Sequence, residues 1–331
     1  MTFVFQIIND SKMKTRKLRD IEVSAIGYGC MGLSGGYGTT PSRKEAINLI
    51  RTAYDMGCTL FNTAEYYVMD TVNEELVGEA LKGIRNKASI VTKFYIMDNW
   101  EGKSTKLLMP ELRSRLENSL KKLDTDHIEI YTQARVNKDI PLEEVAYCMG
   151  EFIKEGKILG WGLSQVTAYE IQKSHAITPL TAIESEYSIM ERMVEKEVLP
   201  LCEQLNIGFL AFSPLAAGFL SGNVNSKIEY PEKDRRSTIN RFDKDNIEAN
   251  QPLLDLLHEF GNAKKVTPAQ ISLAWMLHKN DFIVPIPGSR NLERIKENLL
   301  SANIELTNVE FNQIEAELSK IKIYGDGNRK S

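Results

Sequence analysis

Eight short apolar runs recur along the chain: "AIGYG", "LFNTA", "SIVTKF", "HIEIYTQA", "ILGWGLS", "TAIESEY", "GFLAFSPL" and "DFIVPIPG". Their length and their bounding polar segments mark them as buried strands. Between them, stretches such as "RKEAINLIRTAYDMG", "NEELVGEALKGI", "PELRSRLENSLKKL" and "LEEVAYCMGEFIKEG" place apolar residues at i, i+3, i+4 and i+7. Each reads as a helix that returns the chain. Helix starts are marked independently. Ser42 with Glu45 and Thr267 with Gln270 have the capping-box form, the second with Pro268 at the first helical position. Eight strand-then-helix units within about 290 residues, with no break in composition, are what an α/β (β/α)8 TIM barrel requires. A doubly wound sheet is the second choice. The preceding "TRKLRDIEVS" reads as an N-terminal β-hairpin, so residues 15–331 are expected to form a single barrel domain and residues 1–14 an extension or disordered segment.

Composition narrows the function. The 331 residues are 42% hydrophobic and 26% charged, with a net charge of -4 and both signs interspersed. No block of like charge suggests a nucleic acid or a polyphosphate partner, so a small-molecule substrate is expected. The four cysteines, Cys30, Cys58, Cys148 and Cys202, lack metal-ligand spacing, which predicts reduced thiols in a cytoplasmic protein with no disulfide and no metal. The opening "MTFVFQIIND" has no preceding basic residue and falls far short of the roughly 18 residues that span a bilayer, so neither a signal peptide nor a membrane partner is expected. Met13 is an alternative start to Met1. A homo-oligomer stays open.

Gly27, Gly29 and Gly32 match the dinucleotide fingerprint GxGxxG. That fingerprint must open a helix directly, whereas "LSGGYGTTP" intervenes before the helix near Ser42, so glycines of a tight loop are the better reading. Polar residues gather instead at successive strand ends: Asn62 and Tyr67, Lys93, and Gln133 to Asn137. Singly, a buried lysine more often pairs with a carboxylate and a tyrosine more often packs its ring. A barrel brings these ends together at its C-terminal face. The long polar segment after the seventh strand, "SGNVNSKIEYPEKDRRSTINRFDKDN", reads as a lid or binding loop over that face.

With these motifs in view, the chain from about Thr15 to Ile321 resembles the aldo-keto reductases, NADP(H)-dependent barrels that reduce aldehydes and ketones. The resemblance rests on "VSAIGYGCMGLSGGYG", "FNTAEYY" followed by "NEELVGEAL", "IVTKF", "EGKILGWGLS", "EYSIMER", "PLAAGFLSG" and "PIPGSRNLERIKENL". It implies a catalytic tetrad of Asp, Tyr, Lys and His, in which a lysine tunes a phenol that gives the proton. Tyr67 and Lys93 match two of its members. The aspartate position holds Asn62 and the histidine position holds Ala134. None of His127, His175, His258 and His278 is placed as a substitute.

Further departures are Val68 for glycine, Asn137 for aspartate, Gln165 for glutamate, and Glu184 for the glutamine expected at the nicotinamide amide. On this reading Asn62 preserves geometry but leaves Lys93 less neutralised, and Ala134 opens room beside the phenol. The resemblance also implies cofactor contacts. Ser289, Arg290 and Arg294, after Gly288, would hold the 2'-phosphate, with Glu297 and Asn298 near the adenine. Ser164, Gln165 and Glu184 would meet the nicotinamide amide, Phe212 would stack on its ring, and Gly32, Ser213 and Leu215 would line the same groove.

Three functions are compatible with these residues. One is an NADP(H)-dependent oxidoreductase for an unusual carbonyl or alcohol, with Tyr67 and Lys93 as the proton-donor system. A redox-neutral lyase or isomerase that uses the cofactor transiently is a variant of it. The second is a catalytically silent cofactor-binding sensor or partner protein. The third, an ordinary reductase inactivated artificially, is disfavoured by the additional changes at Val68, Gln165 and Glu184.

Overall fold

The computed structural model describes residues 13–68, 72–96, 100 and 103–327. A hairpin of β1 (Thr15–Leu18) and β2 (Ile21–Ser24) comes first. The barrel strands follow as β3 (Tyr28–Gly29), β4 (Leu60–Asn62), β5 (Ser89–Phe94), β6 (Ile128–Gln133), β7 (Ile158–Ser164), β8 (Ala182–Glu186), β9 (Gly208–Phe212) and β10 (Ile283–Pro285). All eight pair in parallel and in chain order. The predicted runs each contain one of these strands. Helices α1 (Arg43–Asp55), α2 (Asn73–Leu81), α3 (Leu108–Leu123), α4 (Leu142–Lys154), α5 (Ala168–Ile177) and α6 (Val198–Gln204) connect β4 to β9 and their predecessors. Helices α7 (Lys244–Ala249), α8 (Gln251–Lys264) and α9 (Pro268–Lys279) precede β10, and α10 (Leu292–Leu300) and α11 (Asn308–Leu318) follow it. Both predicted capping boxes form, at Ser42 and at Thr267. Of the expected extension, residues 1–12 lie outside the described residues, and the Lys14 carbonyl already accepts from Ala25 N–H at 2.8 Å.

Two backbone hydrogen bonds close the sheet on itself. Gly27 N–H donates to Pro285 O at 2.9 Å and Gly29 N–H to Pro287 O at 3.2 Å, carrying the ladder from the last strand to the first. This seam explains the glycines that imitate a dinucleotide fingerprint. A Cβ on Gly29 would stand 2.8 Å from Ile286 O, and one on Gly288 would stand 2.7 Å from Gly29 O. Gly32 instead lies in the short turn Met31–Leu33, well ahead of α1.

Two apolar cores result. The inner one joins Leu60, Val91, Ile130, Ala182, Leu210, Val284 and Ile286 with Leu18 and Val23, through which the hairpin plugs the N-terminal end. The outer one fills the space between strands and helices. Side chains alternate along a strand, so the residue two beyond each inner apolar position also points inward, one layer nearer the C-terminal face. Leu60 thus delivers Asn62, Val91 delivers Lys93, and Ala182 delivers Glu184.

The long segment after β9 is built up rather than bare, with short helical turns at Arg235–Thr238 and Asn240–Phe242 leading into α7. It lies at the C-terminal face, where Arg241 approaches Glu186 of β8 at 3.6 Å. It docks on the loop after β3: Arg235 N–H donates to Gly36 O at 3.0 Å, and Asp234 bridges to Tyr37. The C-terminal segment locks it from the other side, with Asp326 N–H on Asn240 Oδ1 at 2.7 Å.

The seam gives a direct test. Gly29→Ala should force the closing strands apart and lower the unfolding free energy by about 1–3 kcal/mol, as overpacking against backbone does. Urea denaturation with an unchanged m-value is the measurement.

Candidate active site

At the C-terminal end of the inner core sits a buried cation. Lys93 is 2% exposed and its Nζ donates to Asn62 Oδ1 at 2.5 Å. Asn62 Nδ2 in turn donates to Glu184 Oε2 at 2.8 Å, and Glu184 Oε1 stands 3.3 Å from the same Nζ. The three residues come from β5, β4 and β8 and form a closed triangle. The expectation that Asn62 leaves Lys93 less neutralised is therefore overturned, because a carboxylate reaches the ammonium from across the barrel. Glu184 itself, expected at a cofactor amide, has both oxygens engaged in this triangle.

Tyr67 flanks the cation, with Lys93 Nζ 5.2 Å from the centre of its ring. Part of the residue is solvent-accessible, but its phenol lies in a desolvated setting. Burial first, and the Glu184 charge second, hold that phenol well above the ordinary tyrosine range, with the Tyr66 hydroxyl and Arg235 acting the other way. Tyr67 therefore carries its proton at neutral pH. Tyr66 packs edge-on against it at 5.0 Å between ring centres.

The backbone at Tyr67 is fixed by a residue whose role the sequence did not reveal. Asn73 is fully buried; its Oδ1 accepts from Thr63 Oγ1 at 2.6 Å, and its Nδ2 donates to Cys30 O and to Ser34 Oγ, each at 2.9 Å. Tyr67 O accepts from Asn73 N–H at 3.1 Å and from Ser34 Oγ at 3.3 Å. The Asn73 side chain thus ties the strand β4 exit to the loop after β3, while its backbone N–H and Ser34 hold the Tyr67 turn.

The aldo/keto reductase family model matches residues 25–318. The chain belongs to the aldo/keto reductase family. The curated "Probable aldo-keto reductase 1" of Glycine max is 35% identical over 296 residues, spanning 88% of this chain and 85% of that protein. The thermostable aldo-keto reductase Tm1743, solved with the inhibitor epalrestat, superposes with a TM-score of 0.73 at 28% identity, over 92% of this chain and 100% of the other. An aldo/keto reductase from Klebsiella pneumoniae, solved with NADP and acetate, gives a TM-score of 0.71 at 25% identity, over 97% and 99% of the two chains.

Beside the triangle, Ala134 continues β6 inward and is buried, with its N–H on Phe94 O at 2.9 Å. Ala134 itself offers no side-chain hydrogen bond. The adjacent Arg135, which the sequence reading did not single out, turns its guanidinium back over the position. Its Nη1 donates to Ala134 O at 2.6 Å and to Ser164 Oγ at 3.3 Å. The histidines are engaged elsewhere: His127 with Asp126 and Glu129, His175 with Leu180 N–H, and His278 stacked on Phe311. Asn137 serves its own loop, donating to Ile96 O and accepting from Asp139 N–H, and Val68 bridges to Val72.

The expected cofactor residues lie at the exits of β7 and β9 and around the start of α10. Ser164 is buried, while Gln165 is exposed, has a left-handed backbone (φ 56°), and its Oε1 accepts from Glu186 N–H at 3.2 Å. Phe212, Ser213 and Leu215 are half-buried at the β9 exit, Ser213 with φ 49°. At the start of α10, Arg294 is exposed and Asn291 caps its N–H at 3.1 Å. Ser289 Oγ accepts from Asn291 N–H at 3.1 Å. Arg290 has a second employment: its two amino groups donate to Tyr37 O and Thr39 O, tying the loop after β3 to this corner. Glu297 accepts from Thr267 Oγ1, and Asn298 is buried beside it.

A cleft of about 920 Å³ opens at the other end of the barrel, against the hairpin and α9, with Arg16, Asp20, His278 and Asp281 on its walls. It faces away from this cluster, and Arg16 spends its guanidinium on the carbonyls of Leu277, Asn280 and Ile283. Among the described residues no group of His, Cys, Asp and Glu is arranged to hold a metal ion, and no helix is long and apolar enough to cross a membrane.

Asn73→Ala should lower stability by about 3 kcal/mol, since it strands several buried partners at once. The measurement is chemical denaturation, paired with limited proteolysis of the segment around Tyr67, which should become cleavable while the barrel strands remain protected.

Proposed function

We propose that this chain is an NADP(H)-dependent oxidoreductase that interconverts a carbonyl compound and its alcohol, with Tyr67 as the proton donor and Lys93 as the charge that tunes it. The observation that supports this best is the proton-loaded phenol of Tyr67 beside an ammonium held in place by Asn62 and Glu184. A phenol is a weak acid and burial makes this one weaker still, so the role proposed for the cation 5.2 Å from its ring is to stabilise the phenolate that proton transfer leaves. A sensor has no comparable need for a buried cation triangle at that position.

The donor set fits the dinucleotide. The start of α10, where Asn291 caps the Arg294 N–H, offers the exposed Arg294 side chain and the Ser289 hydroxyl, which suit a phosphate. Ser164 at the β7 exit offers a hydroxyl to a carboxamide. When bound, the cofactor supplies the hydride that adds to the carbonyl carbon. This chain supplies the rest. As the carbonyl π pair moves onto oxygen, Tyr67 gives that oxygen its proton, and Lys93 stabilises the phenolate left behind until it takes a proton from water. Ala134 cannot orient the carbonyl, so the substrate must be held by its other groups.

Binding should favour NADP(H) over NAD(H) by at least about tenfold, because charge-assisted contacts to the extra phosphate are strong. Calorimetric titration of both, and of Arg294→Ala, measures this; equal affinities would remove the cofactor reading. Tyr67→Phe should leave NADP(H) affinity nearly unchanged while turnover of the true substrate collapses. Full complementation of a deletion strain by that variant would instead favour the silent reading. Small aldehydes should be reduced slowly, by roughly a hundredfold or more relative to a site with its orienting donor, as a panel assay would show.

A further inference from the structure

The geometry points to Glu184 as the anion that positions Lys93: the carboxylate of this site has passed from the β4 end to the β8 end, and Asn62 has become the amide that clamps the two together. This rests on the proposed Tyr67 chemistry. Against the family pattern, Asn62 stands where an aspartate is usual and Glu184 where a glutamine is usual. Taken separately these look like two losses. Together they exchange one carboxylate and one amide between facing strands.

Charge and hydrogen bonding both favour the paired exchange. Aspartate, glutamine and lysine sum to zero, and so do asparagine, glutamate and lysine; either single change leaves the buried cluster with one net charge. Asn62 fits only one way round. Its Oδ1, an acceptor, faces Lys93 Nζ at 2.5 Å, and its Nδ2, a donor, faces Glu184 Oε2 at 2.8 Å. Turned over, the amide would set N–H against ammonium and oxygen against carboxylate. An aspartate at this position would confront Glu184 at the same separation, and two carboxylates so close cannot both stay ionised. Lys93 and Glu184 are 2% and 4% exposed, so the pair is nearly unscreened by water. The other titratable or charged groups around the pair are the Tyr66 and Tyr67 phenols, the Cys30 thiol and the Arg135 guanidinium. The Glu184 charge acts on both phenols, so moving it changes the proton donor itself.

The test needs neither substrate nor cofactor. Unfolding equilibria of the unmodified protein, Asn62→Asp, Glu184→Gln and the double variant form a cycle. Each single change should raise the unfolding constant, and the double should recover about tenfold or more relative to the sum of the singles. Failure of Glu184→Gln to fold, with recovery in the double variant, is the same result in stronger form. A double variant no more stable than the additive sum overturns the proposal. A purely structural pair would pass that test, so the second readout is the tyrosinate absorbance titration, taken as the difference from a matching Tyr67→Phe background. Glu184→Gln should lower the ionisation midpoint of Tyr67, and the double variant should return it towards its original position. An unmoved midpoint would show that Glu184 stabilises the barrel without positioning the donor system. Loss of turnover in Tyr67→Phe bears only on the function, so the two readings fail separately.

Discussion

Placing the Lys93 ammonium in the barrel core is the constraint on which the site depends. An isolated cation at 2% exposure would be strongly disfavoured, and removing one member of a buried pair typically costs several kcal/mol. It survives because three strands aim complementary groups at one point: an amide oxygen from β4, a carboxylate from β8, and the lysine from β5. This fixes the register of those strands as well as their chemistry. A slip of one residue would turn the lysine into the outer apolar core and leave the glutamate without its partner.

Much of this was legible in the chain. The eight runs, the hairpin and the two capping boxes carried the fold, because strand length and helical period are local signals. The inward direction of Asn62, Lys93 and Glu184 follows from alternation with Leu60, Val91 and Ala182. The triangle itself was not legible. It depends on β4 and β8 facing one another across the barrel, a relation between residues 122 positions apart that no local pattern encodes. Hence the sequence alone presents Glu184 as an altered contact to a cofactor amide and Asn62 as keeping geometry while leaving Lys93 less neutralised. The anchoring by Asn73 was hidden for the opposite reason: a polar residue at a helix start normally suggests a cap, and here it is the centre of a buried three-way junction. The second employment of Arg290 depends on loop packing at the seam, which sequence cannot specify.

The loops at the C-terminal face add a further link. Arg290 holds the carbonyls of Tyr37 and Thr39, Asp234 bridges Tyr37, and Arg235 and Arg236 both lie about the Tyr37 ring at 5.7 Å. The corner proposed for the phosphate and the long segment after β9 therefore meet at one tyrosine. Occupancy of that corner by an anion would compete for Arg290 and bear directly on how firmly the segment is docked.

The departures from the family pattern separate into two physical kinds, and they need not share a cause. The exchange between Asn62 and Glu184 conserves charge and fills every hydrogen bond of the triangle, so it can leave the acid-base machinery competent. Ala134 offers only a methyl group where the resemblance implies a hydrogen-bonding ring, and the neighbouring Arg135 donates to the backbone of that position and to Ser164. Under the proposed function, what the first change preserves is proton transfer, and what the second removes is a contact to the substrate oxygen. On the proposed reading, a site altered in this way is specialised in its recognition rather than silenced in its chemistry. The specificity proposed for this chain is accordingly to be sought at the end of β6, where Ala134 is buried and the Arg135 charge acts on the Tyr66 phenol.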